Sequence, residues 1–484
     1  MSWLKSLALF VGIATVPVLS LSRAATGFAW SAPVSMATGL VMILVLAAAL
    51  FVPAVALALP LERHRTAIFV VGGWFALAFV HAGAMRDPLH AGGFVEPWHW
   101  LLLVALAAIA AAGIGLRLDS AGRYLTTFVP ILIVVQAGLL LADVANADEP
   151  DPVAAPRSGL AVGSPPSIWV VVLDAHASPA ALRDLHDVDV STAVSDLESL
   201  GFRVWDDARS NYSQTLVSIP SLLSGEIWEP AEVEAAYASF LAGTRGDTAL
   251  VGALRDSGMT TRMVPTNWSR NQCGALIDEC LDDPRYDEHW YALVRSTPLP
   301  DLFPAILTHP WPPGGIRTLD VLAEVGASNR HFTFVHTLAS HPPPVLDGRC
   351  RRTSARDGEL DEQLECTHDV LAGALESIDL TTDVVIVTAD PGYESGNISA
   401  EPAQWTDAMA RDRFSAFTAI STPGGCAEAL PERLSGAQIM PLVLNCYGAD
   451  LPVPAHRFFK VNHQRLGGVG ASEFDWDGWA PYAP

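Results

Sequence analysis

Apolar residues crowd the first third of the chain and are interleaved with polar ones in the remainder. Five apolar runs, at about residues 6–22, 34–60, 67–86, 98–116 and 125–145, stand out in that first part. Most reach the roughly 20 residues that a helix needs to cross a hydrocarbon core of ~30 Å. They predict an N-terminal helical transmembrane bundle over residues 1–146. The first run is shorter, and Lys5 before it with small residues after Arg23 also fits a signal peptide. Four more spans follow with no folded domain between them, which favours a retained first helix.

After the last span the pattern changes twice. Residues 147–167 are rich in Pro, Asp and Ala and read as a linker. Residues 168–484 then read as a globular domain opening on Ile168–Asp174, an unbroken β-branched run of the kind found in a strand buried on both faces. Helical patterns at Pro179–Ser199, Thr248–Ser257, Thr318–Val325 and Thr367–Ile378 alternate with strand-like Phe202–Trp205, Thr260–Val264, Phe332–Thr337 and Asp383–Thr388. Such alternation predicts an α/β domain, with a mainly parallel central sheet and helices on both faces.

Charge and cysteine refine this layout. With the N-terminus inside, Lys5, Arg63, Arg65, Arg117 and Arg123 fall on the cytoplasmic side and only Arg23 and Arg86 outside. The positive-inside rule then makes residues 168–484 extracytoplasmic on a multi-pass membrane protein. All six cysteines lie in that part, and sequence order suggests the disulfides 273–280, 350–366 and 426–446. Six cysteines allow fifteen pairings, and metal binding by the thiols is the rival, although no CxxC spacing occurs. A net charge of −23 argues against nucleic acid as a partner. The near absence of charged residues within the spans argues against a transporter. Trp98 and Trp100 fit an interfacial aromatic belt or helix packing, and scarce lysine beside abundant arginine and alanine resembles bacterial GC-rich coding. Asn211, Asn267 and Asn397 begin glycosylation-type triplets that a bacterial origin would leave unused.

The segment SNYSQTLVSIPSLLSG, residues 210–225, carries the candidate chemistry. Its polar turn precedes an apolar-periodic helix, so Thr215 faces the positive end of a helix dipole, which favours an alkoxide or a bound oxyanion. Alone, the turn reads as a helix cap made by Ser213 or Thr215. Asp174 and Asp390 each close a strand, and His336 and His341 follow another in HTLASHPPP. Functional residues of parallel sheets gather at such carboxyl ends. Two acids, a histidine pair and a hydroxyl are the parts of a metal-assisted phosphoryl- or sulfuryl-transfer site.

In IWVVVLDAHAS, LESLGFRVWDDARSNYSQTLVSIPSLLSG, FVHTLASHPPPVLDG, VVIVTADPG and LVLNCYGADLPVPAHRFF the chain resembles the alkaline phosphatase and sulfatase superfamily. Within it, the membrane-anchored sulfatase-like proteins related to lipoteichoic acid synthases and phosphoethanolamine transferases are most similar. The resemblance implies a hydrolase or transferase of phosphate or sulfate esters, acting on a lipid-linked or envelope-polymer substrate. It implies Thr215 as nucleophile, Asp174 and Asp390 as ligands to a divalent cation (Zn, Mn, Mg or Ca), and His341 and Asn211 as substrate contacts. The family's Asp-His-Gly is Asp390-Pro391-Gly392 here, and proline cannot ligate a metal. His176 and His463 are candidates to fill the gap. The same substitution defines the alternative, a catalytically inactive relative that binds a glycan, lipid head group or partner protein.

Overall fold

The computed structural model describes residues 134–135, 160–235, 237–266, 271–281, 311–324, 330–353, 358–393, 405–463 and 469–474. Of the expected membrane bundle only the helical Val134 and Val135 are described, and among the described residues no helix is long and apolar enough to cross a membrane. The chain divides into two compact units, and everything described from Leu160 onward belongs to the unit made of Glu149–Tyr286 and Thr308–Pro484.

Its centre is a sheet of β1 (Ile168–Leu173), β2 (Arg203–Trp205), β3 (Thr260–Val264), β4 (Glu279–Cys280), β5 (His331–Thr337), β6 (Val384–Thr388) and β7 (Thr418–Ser421). The order is β2-β7-β6-β1-β5-β3-β4. Strands β6, β1, β5, β3 and β4 pair in parallel. Strand β7 pairs antiparallel with both β6 and β2, so the sheet is mixed. That reversal comes from a segment whose direction hydrophobic pattern does not encode. A separate hairpin joins β8 (Phe459–His463) to β9 (Val469–Glu473).

Among the described residues the helices of eight or more residues are α1 (Pro179–His186), α2 (Ser191–Ser199), α3 (Thr215–Ser224), α4 (Tyr237–Thr244), α5 (Ala249–Asp256), α6 (Trp311–Glu324), α7 (Leu360–Leu375), α8 (Asp407–Phe414) and α9 (Gly436–Asn445). Because strand side chains alternate, β1 serves two cores. Ile168, Val170 and Val172 pack with Ile219 and Leu223 of α3, Leu254 of α5 and Met440 of α9. Trp169, Val171 and Leu173 pack on the other face with Leu319 of α6 and Leu371 of α7. Every β1 side chain is buried, so the strand is anchored from both sides, each large apolar residue contributing about 1.5–3 kcal/mol.

Three local departures from the sequence pattern have clear causes. The helix expected over 179–199 breaks into α1 and α2 because Asp187 adopts a left-handed conformation (φ 55°), a helix-ending geometry. Helix α6 starts earlier than expected, with Trp311, Pro312 and Pro313 in its first turn, where proline costs no hydrogen bond. Within the stretch read as a linker, Val162 is buried in the first core and the Ser164 N–H donates to Tyr447 O at 2.9 Å. The packed fold therefore begins ahead of β1.

All six cysteines are paired, as Cys273–Cys280, Cys350–Cys366 and Cys426–Cys446. The thiols are thus unavailable to a metal. The last bridge fastens α9, which carries the floor under α3, to the turn after β7. Replacing both Cys426 and Cys446 by serine is expected to lower unfolding free energy by about 3 kcal/mol in denaturant titration, and an unchanged value would mean that core packing alone holds α9.

Candidate active site

Strands β6, β1 and β5 are neighbours, and their carboxyl ends deliver three donors to one point. Asp174 follows β1, His336 is the penultimate residue of β5, and Asp390 comes just after β6. One ligand atom from each lies within 4.8 Å of the others, and all three side chains are buried. Backbone contacts fix their placement. The Asp174 N–H donates to Thr337 O at 2.9 Å, the Ser340 hydroxyl donates to Asp174 O at 2.8 Å, and the Ala389 N–H donates to Phe417 O at 2.9 Å.

Thr215 joins this group from the start of α3. Its Oγ1 lies 3.5 Å from Asp174 Oδ2, to which it donates. The residue is only half-buried, so its hydroxyl is reachable. Neither residue suggested as the helix cap has that role: the cap position is Gln214, in extended conformation with no side-chain capping bond. The Ser213 hydroxyl instead accepts the Val461 N–H at 2.9 Å. The turn is thereby stitched to β8, and the threonine hydroxyl is left to the carboxylates.

Electrostatics make the two acids unequal. Burial and the neighbouring Asp174 charge push the Asp390 carboxyl well above its ordinary value, against weaker opposing effects of the Thr215 hydroxyl and Arg413. For Asp174 burial acts upward too, but His336, His341 and Arg413 outweigh it and hold the carboxyl below its ordinary value. Like charges this close cannot both ionise cheaply, so in the absence of a cation the proton rests on Asp390. His336 Nε2 lies 3.3 Å from Asp174 Oδ2, near enough for attraction but not aligned as a hydrogen bond. Both ring nitrogens of His336 and both Asp390 oxygens are buried without a hydrogen-bond partner among the described residues. Buried polar atoms are rarely left so. Two carboxylates and an imidazole with unsatisfied lone pairs fit a divalent cation, which would supply the missing partners and remove the repulsion.

Arg413, in the last turn of α8, was not singled out by the sequence pattern. Its Nε donates to Ser213 O at 2.8 Å and its Nη1 to Gly392 O at 2.9 Å. His336 was visible in the sequence as one of two histidines after a strand, but only the pairing of β5 beside β1 makes it a ligand candidate. His341 stands at the edge of the group, half-buried, with Nδ1 donating to Pro342 O at 2.6 Å and its charge acting on Asp174. Asn211 is not brought into the group. Its amide donates to Arg457 O at 2.9 Å and to Ser435 Oγ, and its side-chain carbonyl accepts the Ala437 N–H at 2.8 Å, so it braces the turn against the start of α9.

Of the two candidates for the gap at Pro391, His176 does not join the group of Asp174, His336 and Asp390. His176 turns into the interior, where its Nε2 meets His368 Nε2 at 2.9 Å and its Nδ1 donates to Ala177 O at 2.8 Å. Burial depresses both imidazoles, His176 to about 4 and His368 to about 3, so the pair is neutral. His463 ends β8, and its side chain lies outside the described residues.

No protein-family model matches the chain. No curated protein matches it either. Among solved structures, similarity extends to a protein in the alkaline phosphatase superfamily from Vibrio parahaemolyticus, at 12% identity over 66% of this chain and 83% of that one, TM-score 0.41. The C-terminal periplasmic domain of EptC from Escherichia coli is similar at 10% identity over 65% of this chain and 94% of that one, TM-score 0.40. The integral membrane lipooligosaccharide phosphoethanolamine transferase A from Neisseria meningitidis is similar at 12% identity over 90% of this chain and 94% of that one, TM-score 0.38. All three scores fall below 0.5, and at such identities the functions of those proteins do not transfer to this chain.

The raised Asp390 carboxyl yields a prediction with a definite sign. A group whose folded value is raised contributes stability below its unfolded value and loses it as pH rises toward the folded one. Asp390→Asn is therefore expected to stabilise the metal-free protein at neutral pH by about 1–3 kcal/mol, with a gain over wild type that shrinks toward pH 4. Added Zn or Mn should raise the melting temperature of wild type and not of the variant. A variant less stable than wild type in chelator at pH 7 would contradict the charge assignment.

Proposed function

We propose that the chain is a membrane-anchored, extracytoplasmic hydrolase or transferase of the alkaline phosphatase and sulfatase superfamily, acting on a phosphate or sulfate ester of the cell envelope. The observation that carries this reading is the convergence of the Thr215 hydroxyl on a buried Asp174, His336 and Asp390 group. His336 takes the ligand role that Pro391 cannot fill, and the imidazole in the donor set favours Zn or Mn over Mg or Ca.

When bound, the cation would neutralise the two carboxylates, screen the anionic ester and acidify the threonine hydroxyl. The rest falls to the chain's own residues. Asp174 Oδ2 accepts the hydrogen bond from Thr215 Oγ1 and so fixes that oxygen beside the carboxylates. The start of α3 favours negative charge on Oγ1 and on the oxygens of the transferred group. Oγ1 passes its proton to Asp174 Oδ2 and displaces the ester oxygen, which leaves protonated, to form a covalent phosphate or sulfate ester on Thr215; water or a second alcohol, giving its proton to His341, then displaces Thr215, whose oxygen takes its proton back from Asp174. His341 stands beside the group as the candidate proton donor to the leaving oxygen.

Turnover of p-nitrophenyl phosphate or p-nitrophenyl sulfate by the full-length protein should require added divalent cation. Thr215→Ala should reduce kcat by at least about 1,000-fold while retaining cation binding, since covalent catalysis depends on that one oxygen. His336→Ala should abolish cation binding measured by equilibrium dialysis. Cation binding with no turnover of either ester, in wild type and Pro391→His alike, would favour the inactive, ligand-binding alternative.

A further inference from the structure

We propose that Arg413 is the positioning residue of this site, its guanidinium fork joining the turn that presents Thr215 to the turn that presents Asp390. The inference rests on the proposed reading of Thr215 and Asp390 and goes beyond it by assigning what holds them together. The two turns come from distant parts of the chain, and neither belongs to the strand ladder. Arg413 Nε donates to Ser213 O, two residues before Thr215, at 2.8 Å. Its Nη1 donates to Gly392 O, two residues after Asp390, at 2.9 Å. One rigid, planar group therefore sets the distance between nucleophile and ligand, which a flexible lysine cannot do with a single nitrogen.

Gly392 is gripped from both sides. Its N–H donates to Arg413 O at 2.8 Å while its own carbonyl accepts from the Arg413 side chain. A Cβ at Gly392 would lie 2.1 Å from Asp412 O and 2.4 Å from Ser415 O, so the turn sits flush against the end of α8. Pro391 has no N–H to contribute to this turn, which makes fastening from outside necessary. The end of α8 is itself set by the same loop that carries the nucleophile, because the Ser210 N–H donates to Phe414 O at 2.6 Å. Arg413 is buried, 8% exposed, and its charge also acts on Asp174 and Asp390 in the direction that favours their ionised forms.

The test uses the full-length protein with Zn and p-nitrophenyl phosphate or sulfate as probes. Arg413→Lys keeps the charge and loses the fork; it is expected to lower kcat by about 10- to 100-fold with KM changed less than about threefold, as a misplacement near 1 Å would do. Zn affinity of Arg413→Lys by equilibrium dialysis should fall about tenfold, with a melting temperature close to wild type. Arg413→Ala should lose more activity and recover part of it, at least about tenfold, in added guanidinium, which can rebuild the fork but cannot restore a misfolded domain. Wild-type kcat and wild-type Zn affinity in Arg413→Lys would overturn the role, as would a loss in Arg413→Ala that guanidinium leaves unchanged. A wild type that binds no Zn and turns over neither ester would instead sink the reading of the site itself, an outcome distinct from any variant result.

Discussion

The structure turns on one electrostatic constraint: two aspartates, Asp174 and Asp390, buried within contact range of one another. Proteins do not place ionised carboxylates together in a low-dielectric interior without something to balance them. Hydrogen bonds do not balance them here, since both Asp390 oxygens are unsatisfied among the described residues. A proton on Asp390 is the internal solution, and a divalent cation is the external one. The surrounding architecture keeps both open, because β1 and β6 are locked by their cores and cannot move the acids apart.

Around that constraint a third candidate ligand comes from a strand rather than from the turn after Asp390. Where the resembling family carries histidine, Pro391 offers no donor, yet the neighbouring strand β5 brings His336 to within 3.3 Å of Asp174. An imidazole on a strand is positioned more rigidly than one on a turn. The turn at Pro391 is braced instead from outside, with Arg413 bonded to both the carbonyl and the N–H of Gly392.

Strand content and the α/β alternation were legible because continuous β-branched runs such as IWVVVL admit few other readings. The disulfides followed from order along the chain, helped by short separations. Thr215, Asp174 and Asp390 could be picked out because each sits at an element boundary, where polar residues interrupt apolar pattern. Two things were not legible. Strand order is a property of the whole sheet, so nothing local revealed that β5 would lie beside β1 and make His336, not His176, the partner of the acids. Arg413 acts through main-chain carbonyls, and carbonyls leave no trace in side-chain pattern. Asn211 misled for the opposite reason: a polar residue beside a nucleophile looked like a substrate contact, and its amide is taken up by α9 and the segment before β8.

The three candidate ligands stand on or just after three strands that are adjacent in space and far apart in sequence, with β6 the last of them to be made. Contacts of such long sequence separation form late, after the loops between them have closed. No fragment ending before Asp390 contains the full donor set, and no partly folded state without β6 docked beside β1 can assemble it. A cation held by this group would therefore meet a finished sheet, and its binding would report that the chain has reached the native topology.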